Sequence, residues 1–318
     1  MKIAFLSNKL TIRGTEVAMY DYADFNETML GNQSIIISRD FNKIRNHYDV
    51  DVRAYLKFKK RFPVFYYENN QDIDNIIEKE KVDVLYIIKS GSLDGLITKR
   101  CKCVIHCVFE LNHPHGDVYA PISNNLNQIW NKNYPVVPHM IRVADSKENL
   151  RSQLSIPETN LVFGRYGGRE TFDIGFARDV VVKVATENPN YTFLFMNTNP
   201  FCNLKNVIFI EGTEDMNMKR MFINTCDAMI HARSRGESFG LSCGEFAICG
   251  KPVISYGAST ERNHLDLLGD KAILYKDSSE LYHLLKNFDV KKYDMSMNGY
   301  MLFTPENVMR IFKDVFLG

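Results

Sequence analysis

Two glutamates eight residues apart, Glu237 and Glu245, frame the stretch GESFGLSCGEFA at residues 236–247, and no other segment limits the fold as tightly. The apolar run at 228–232 before it reads as a strand, and the apolar stretch behind it ends at Gly250-Lys251-Pro252, a glycine-then-proline helix stop. The segment is therefore a strand-loop-helix unit with a carboxylate on each side of the helix start. With the helix beginning near Leu241, Glu245 lies about 6 Å further along the axis, at about 1.5 Å per residue. The free N–H groups of Gly240, Leu241 and Ser242 then point outward between the two carboxylates.

A helix start of this kind binds anions, because unsatisfied amides and the positive end of the dipole face the ligand. A diphosphate fits there. Glu245 can accept hydrogen bonds from the paired hydroxyls of a ribose on one side, and Glu237 from those of a second sugar on the other. The outline is that of a nucleotide-diphospho-sugar.

Around this unit the chain alternates strands and helices, which predicts parallel, doubly wound α/β sheets. Strand-like runs fall at 3–6, 34–37, 82–88 and 103–109, with helices at 16–30 and 72–80, a short apolar run at 136–140, and a helix at 147–154. A second series follows, with strands at 161–166, 192–196, 207–210, 228–232, 252–255 and 272–275 and helices at 176–187, 216–224, 241–249 and 279–288. The final segment predicts a helix, with Thr304 as N-cap, Pro305 at the first helical position and an apolar stripe of Val308, Ile311, Phe312, Val315 and Phe316. That stripe must be covered by the second half or by crossing back onto the first.

At 318 residues the chain can bury two cores of ordinary size. Lys plus Arg (39) nearly balances Asp plus Glu (38), so net charge does not call for nucleic acid as a partner. The opening MKIAFL is too short for a signal-peptide core, and no stretch of about 18 apolar residues occurs, which together predict a soluble, cytoplasmic protein without a transmembrane segment. Seven cysteines fit a reducing compartment. Cys101, Cys103 and Cys107 lie near His106, His113 and His115, but residues 103, 105, 107 and 109 alternate on one face of an apolar strand, and no second CxxC or HxxxH completes a zinc set; no metal is expected. The basic and aromatic run at 53–63 reads as a solvated loop or strand pair, and alternatively as a seat for an acceptor glycan or a peripheral contact with an anionic membrane.

The chain resembles family 4 of the retaining glycosyltransferases, which have the GT-B fold, over nearly its whole length. The most specific match is Glu237-Ser238-Phe239-Gly240 with Glu245, followed by Gly250-Lys251-Pro252-Val253-Ile254, which looks like the family's E-x7-E signature. Residues 1–6 followed by Arg13-Gly14-Thr15-Glu16 are similar to the family's first strand and glycine loop. Val104-Ile105-His106 looks like the strand whose terminal histidine faces the donor sugar. Val162-Phe163-Gly164-Arg165 with Gly168-Arg169 resembles the element that opens the second domain. There the family places an Arg and a Lys on the diphosphate, but no Lys occurs between Asn160 and Val182, so Arg165 and Arg169 are left for that work.

The resemblance implies two Rossmann-like domains facing a central cleft: an acceptor-side domain at 1–152, a nucleotide-sugar-binding domain at 153–302, and a helix at 303–318. It implies a catalytic set of Glu237, Arg169, Arg165 and His106, and donor binding by Gly14, Arg165, Arg169, Glu237, Ser238, Phe239, Gly240, Leu241 and Glu245. The expected activity is retaining transfer of a sugar from a UDP- or GDP-linked donor to a glycan or other hydroxyl acceptor, with no cofactor. The rivals are a nucleotide-sugar epimerase on the same fold and a non-catalytic nucleotide-sugar or glycan-binding subunit.

Overall fold

The computed structural model describes residues 1–44 and 50–318, which form two compact units. The first comprises 1–140 and 303–318, the second 141–302. Each is built on a six-stranded parallel sheet. The central strands carry apolar side chains on both faces, as a sheet covered on both sides requires.

In the first unit the strands are β1 (Lys2–Leu6), β2 (Gln33–Ser38), β3 (Val64–Tyr66), β4 (Val84–Lys89), β5 (Lys102–Cys107) and β6 (Val118–Pro121), ordered β3-β2-β1-β4-β5-β6. Helices α1 (Gly14–Thr28), α2 (Phe41–Ile44), α3 (Val52–Arg61), α4 (Asn70–Glu80) and α5 (Asn124–Ile129) connect them. The basic and aromatic run is thus the helix α3, not a loop or strand pair. Asp51 caps it by accepting from the Arg53 N–H, and Ala54 and Phe58 bury one face at helical spacing.

In the second unit β7 (Leu161–Tyr166), β8 (Tyr191–Met196), β9 (Val207–Ile210), β10 (Ala228–His231), β12 (Val253–Tyr256) and β14 (Ile273–Tyr275) form the sheet in the order β14-β12-β10-β7-β8-β9. A two-stranded pair, β11 (Gly236–Glu237) with β13 (Glu261–Arg262), lies outside it. The helices are α6 (Gly175–Glu187), α7 (Met216–Thr225), α8 (Leu241–Ile248), α9 (Asn263–Leu268) and α10 (Ser278–Lys286).

The boundary falls between 140 and 141 rather than at 152/153, and 147–154 is not a helix. Both corrections have one cause. The Ser146 and Glu148 carbonyls accept from Asn224 Nδ2, each at 2.8 Å, the Leu150 N–H donates to Thr225 Oγ1 at 2.7 Å, and Arg151 pairs with Asp227 at 3.0 Å. The end of α7 and the residues after it take the backbone groups a local helix would have used.

The closing helix α11 (Pro305–Phe312) starts at Thr304, whose side chain accepts from the Asn307 N–H, and runs into a wider π-type turn at Lys313–Leu317. It lies in the first unit, where Phe312 stacks on Tyr22 with ring centres 5.2 Å apart and Phe316 meets the His106 ring edge-on at 5.2 Å. Val308, Phe312 and Phe316 are completely buried.

Candidate functional site

In the second unit the sheet is extended from β7 in both directions: β8 and β9 on one side, β10, β12 and β14 on the other. The carboxyl ends of β7 and β10 therefore flank a topological switch point, where open α/β sheets bind ligands. The loop 232–240 leaves β10 there and enters α8, which begins at Leu241. Gly240 is the N-cap at φ +87°, a left-handed conformation, and among the described residues no side chain caps the helix. A Cβ on Gly240 would lie 2.8 Å from the Tyr300 hydroxyl and 2.9 Å from His264 Cβ, so glycine is required by space as well as by backbone. Ser238 and Phe239 are buried behind the turn, and the Phe239 carbonyl accepts from the Tyr300 hydroxyl at 2.8 Å; Leu241 is half-buried.

The two glutamates differ in setting. Glu237 has one partner on each oxygen: His231 Nε2 at 3.1 Å and Arg233 Nη1 at 2.7 Å. Burial pushes this carboxyl up, but the His231 hydrogen bond and the Arg233 charge outweigh burial and hold it at about 2. It is ionised at any working pH, and its side chain keeps 21% of its surface exposed. Glu245 is only 3% exposed and forms a bridge: Lys219 Nζ donates to one oxygen at 2.6 Å and the Tyr166 hydroxyl to the other. Glu245, expected from the sequence to take the ribose hydroxyls, sits in a buried ion pair. A carboxylate has about four lone-pair sites, so each glutamate keeps acceptor capacity beyond these bonds.

Arg165 and Arg169 also divide. Arg165, 3% exposed on β7, donates to Thr198 Oγ1, Thr171 Oγ1 and the Gly168 carbonyl, the last at 3.0 Å. Burial lowers its guanidinium to about 10, which leaves it charged at neutral pH. The glycines near it are occupied by the protein itself: a Cβ at Gly164 would strike the Cys226 sulfur, and one at Gly167 would lie 2.8 Å from Arg165 Nη2. Arg169 is 53% exposed and pairs with Glu211 at 3.0 Å, an exposed contact worth about 0–1 kcal/mol and easily exchanged.

Gly14 and His106 lie in the first unit. Gly14 is exposed at the first position of α1, whose N-cap, Arg13, makes no side-chain capping bond. The loop before it is pinned by Glu16, which is buried and accepts from Ser7 Oγ at 3.0 Å and from Thr11 Oγ1. His106 was expected to face a sugar, yet its ring is wholly buried, with Nε2 on the Val137 carbonyl at 2.7 Å and Nδ1 on the Tyr86 hydroxyl at 2.6 Å. Burial holds it down at about 3. The unfolded chain thus binds the proton first, and stability falls as pH drops from about 6.5 towards 3, by roughly 1.4 kcal/mol per pH unit for this one group. His106→Gln keeps a donor and an acceptor, and should flatten the acid limb of the urea-midpoint profile by about one proton. An unchanged slope would show that His106 is not buried neutral.

The residues that complete the second-unit site without having been read from the sequence are Lys219, Tyr166, His231, Arg233, Ser255 and His264. Among the described residues, no group of three or more His, Cys, Asp or Glu side chains is arranged to hold a metal ion, and no helix is long and apolar enough to cross a membrane.

These two parallel-sheet α/β domains constitute the GT-B fold of glycosyltransferases. The chain is similar to HepE of Anabaena in complex with UDP and glucose, at a TM-score of 0.76 and 16% identity, over 99% of this chain and 98% of that one. It is similar to WaaG, a glycosyltransferase involved in lipopolysaccharide biosynthesis (TM-score 0.64, 12% identity, 99% of this chain, 100% of that one). A provisionally assigned UDP-N-acetylglucosamine 2-epimerase from Listeria monocytogenes shares the fold at a TM-score of 0.61 and 10% identity, over 99% and 95% of the two chains. No family model matches the sequence, and no curated protein matches it.

Proposed function

We propose that the chain is a retaining glycosyltransferase that moves a sugar from a uridine-diphosphate donor to a hydroxyl acceptor. The observation that carries this reading is the α8 start: an uncapped helix N-terminus behind left-handed Gly240, at the switch point, with Glu237 in the loop and Glu245 on the helix. The HepE structures with UDP and with UDP-glucose support a uridine donor on this fold.

On this reading the diphosphate lies at the Gly240–Ser242 amides, where the helix dipole favours negative charge. Arg169 leaves Glu211 to meet the leaving phosphate, a role that Arg165, committed to its own loop, does not share. Glu245 and Lys219 read the ribose hydroxyls. Glu237, held ionised, accepts from hydroxyls of the transferred sugar and opposes positive charge developing on its ring. These groups supply the charge stabilisation, so the reading requires no metal ion.

Glu237→Gln tests the assignment. UDP affinity by calorimetry should stay near wild type, while UDP release from UDP-glucose, measured in EDTA, should fall about tenfold or more, equivalent to about 1.4 kcal/mol in the barrier. Lost UDP affinity with unchanged turnover would reverse the roles of the two glutamates. An epimerised UDP-sugar without UDP release would make the chain an epimerase, and donor binding with no turnover a binding subunit.

A further inference from the structure

Behind Glu237 runs a line of polar side chains that the proposed chemistry does not use. His231 Nε2 meets Glu237 Oε1 at 3.1 Å, and its Nδ1 meets Ser255 Oγ at 3.0 Å. Ser255 Oγ in turn meets His264 Nε2 at 3.0 Å. His231 is 4% exposed, and Ser255 and His264 are completely buried. His264 Nδ1, at the far end, is buried and has no hydrogen-bond partner among the described residues. The line is rigidly mounted: His231 closes β10, Ser255 lies on β12 at the paired register position, and the His231 carbonyl accepts from the Tyr275 hydroxyl at 2.9 Å.

Counting protons gives the line a direction. Glu237 is ionised and accepts only, so His231 must present its Nε2 proton to it. With that one proton on the ring, His231 has a lone pair at Nδ1, which the Ser255 hydroxyl proton satisfies. Ser255 Oγ is left as the acceptor for the His264 Nε2 proton, and His264 ends the line as a bare acceptor at Nδ1. Burial holds His264 down at about 3, which agrees with a neutral ring. The opposite direction sets the His231 Nε2 lone pair against a carboxylate oxygen at 3.1 Å, two acceptors face to face.

We propose that His231 is a positioning residue: through the directed line His264, Ser255, His231 it fixes the tautomer and the angle at which Glu237 is held toward the donor sugar. Its role toward a sugar rests on the glycosyltransferase reading; the line itself does not. Arg233 binds the other oxygen from a loop, and one bond leaves the carboxylate free to rotate about it. His231 removes that freedom. The carboxylate then meets sugar hydroxyls without an ordering cost at the moment of reaction.

The test has two arms. In protein labelled with ¹⁵N at histidine, the imidazole resonances of His231 and His264, assigned with His231→Gln and His264→Gln, should show neutral rings protonated at Nε2, and Ser255→Ala should move the His231 Nδ1 resonance. A His231 protonated at Nδ1 alone, or at both nitrogens, overturns the proposal. With UDP-glucose as donor, His231→Ala should lower kcat about tenfold while KM and UDP affinity stay within about twofold and the calorimetric UDP stoichiometry stays at the wild-type value, a combination that a loss of folding would not give. His231→Gln, whose amide can donate to Glu237 while its carbonyl accepts from Ser255, should recover most of kcat. Wild-type kcat in His231→Ala, or no recovery in the Gln variant, overturns the positioning role. If the wild-type chain neither binds UDP nor turns over UDP-glucose, the glycosyltransferase reading has failed, and the resonance arm alone upholds or overturns the line that holds Glu237.

Discussion

Glu245→Ala is expected to destabilise the second unit by about 3–5 kcal/mol, because it leaves the Lys219 ammonium largely buried with no counter-charge. The Tyr166 hydroxyl loses its acceptor in the same stroke. Urea unfolding should show the shift directly, and UDP should no longer raise the melting temperature. The double variant Glu245→Leu with Lys219→Met separates the two effects. Replacing both members of a buried pair by apolar groups is often neutral or stabilising, so most of the lost stability should return while UDP binding does not. A wild-type midpoint in Glu245→Ala would mean that the pair is exchanged with water. UDP binding at wild-type affinity in the double variant would remove Glu245 from the ribose site.

Arg165→Ala is expected to cost roughly 3 kcal/mol or more. Three acceptors, Thr198 Oγ1, Thr171 Oγ1 and the Gly168 carbonyl, lose a charged donor, each such bond being worth about 1.5–3 kcal/mol. Arg169→Ala should leave the midpoint within about 1 kcal/mol of wild type, because its partner Glu211 is exposed, yet it should slow UDP release from UDP-glucose. One arginine then fails as a fold variant and the other as a rate variant. The same two measurements can sink the distinction: a stable, slow Arg165→Ala would place its guanidinium on the phosphate, and a fast Arg169→Ala would take Arg169 off it.

How much of this was legible in the sequence depends on the range of each interaction. The starts of β7 and α8 could be read almost to the residue, since apolar runs, Gly240 and the stop at Gly250-Lys251-Pro252 are local signals. Helix α3 was missed because its buried positions, Ala54 and Phe58, are embedded among lysines, arginines and Tyr55, which imitate a surface strand. The helix expected at 147–154 obeyed its local preference on paper, but Asn224, some 75 positions away, holds its carbonyls. The site behaves in the same way. Glu237 and Glu245 announce themselves by spacing, whereas Lys219 on α7 and His264 on α9 reach it only through tertiary packing, and a lone lysine or histidine in a helix carries no short-range mark. For His106 the family resemblance implied a place facing the donor sugar, but the rings of Tyr22, Tyr86, His139 and Phe316 close over it.

The return of α11 to the first unit sets an order on biosynthesis. Residues 141–302 are contiguous, so the second unit holds all of its own core as soon as it has left the ribosome. The first unit does not. Tyr22, Tyr86 and His106 are translated early, but the Phe312 and Phe316 rings that cover them come after the whole second unit has been made. Domains usually fold in the order in which they emerge; here the half that is begun first is sealed last, and until α11 is made the apolar face that it covers lacks that cover.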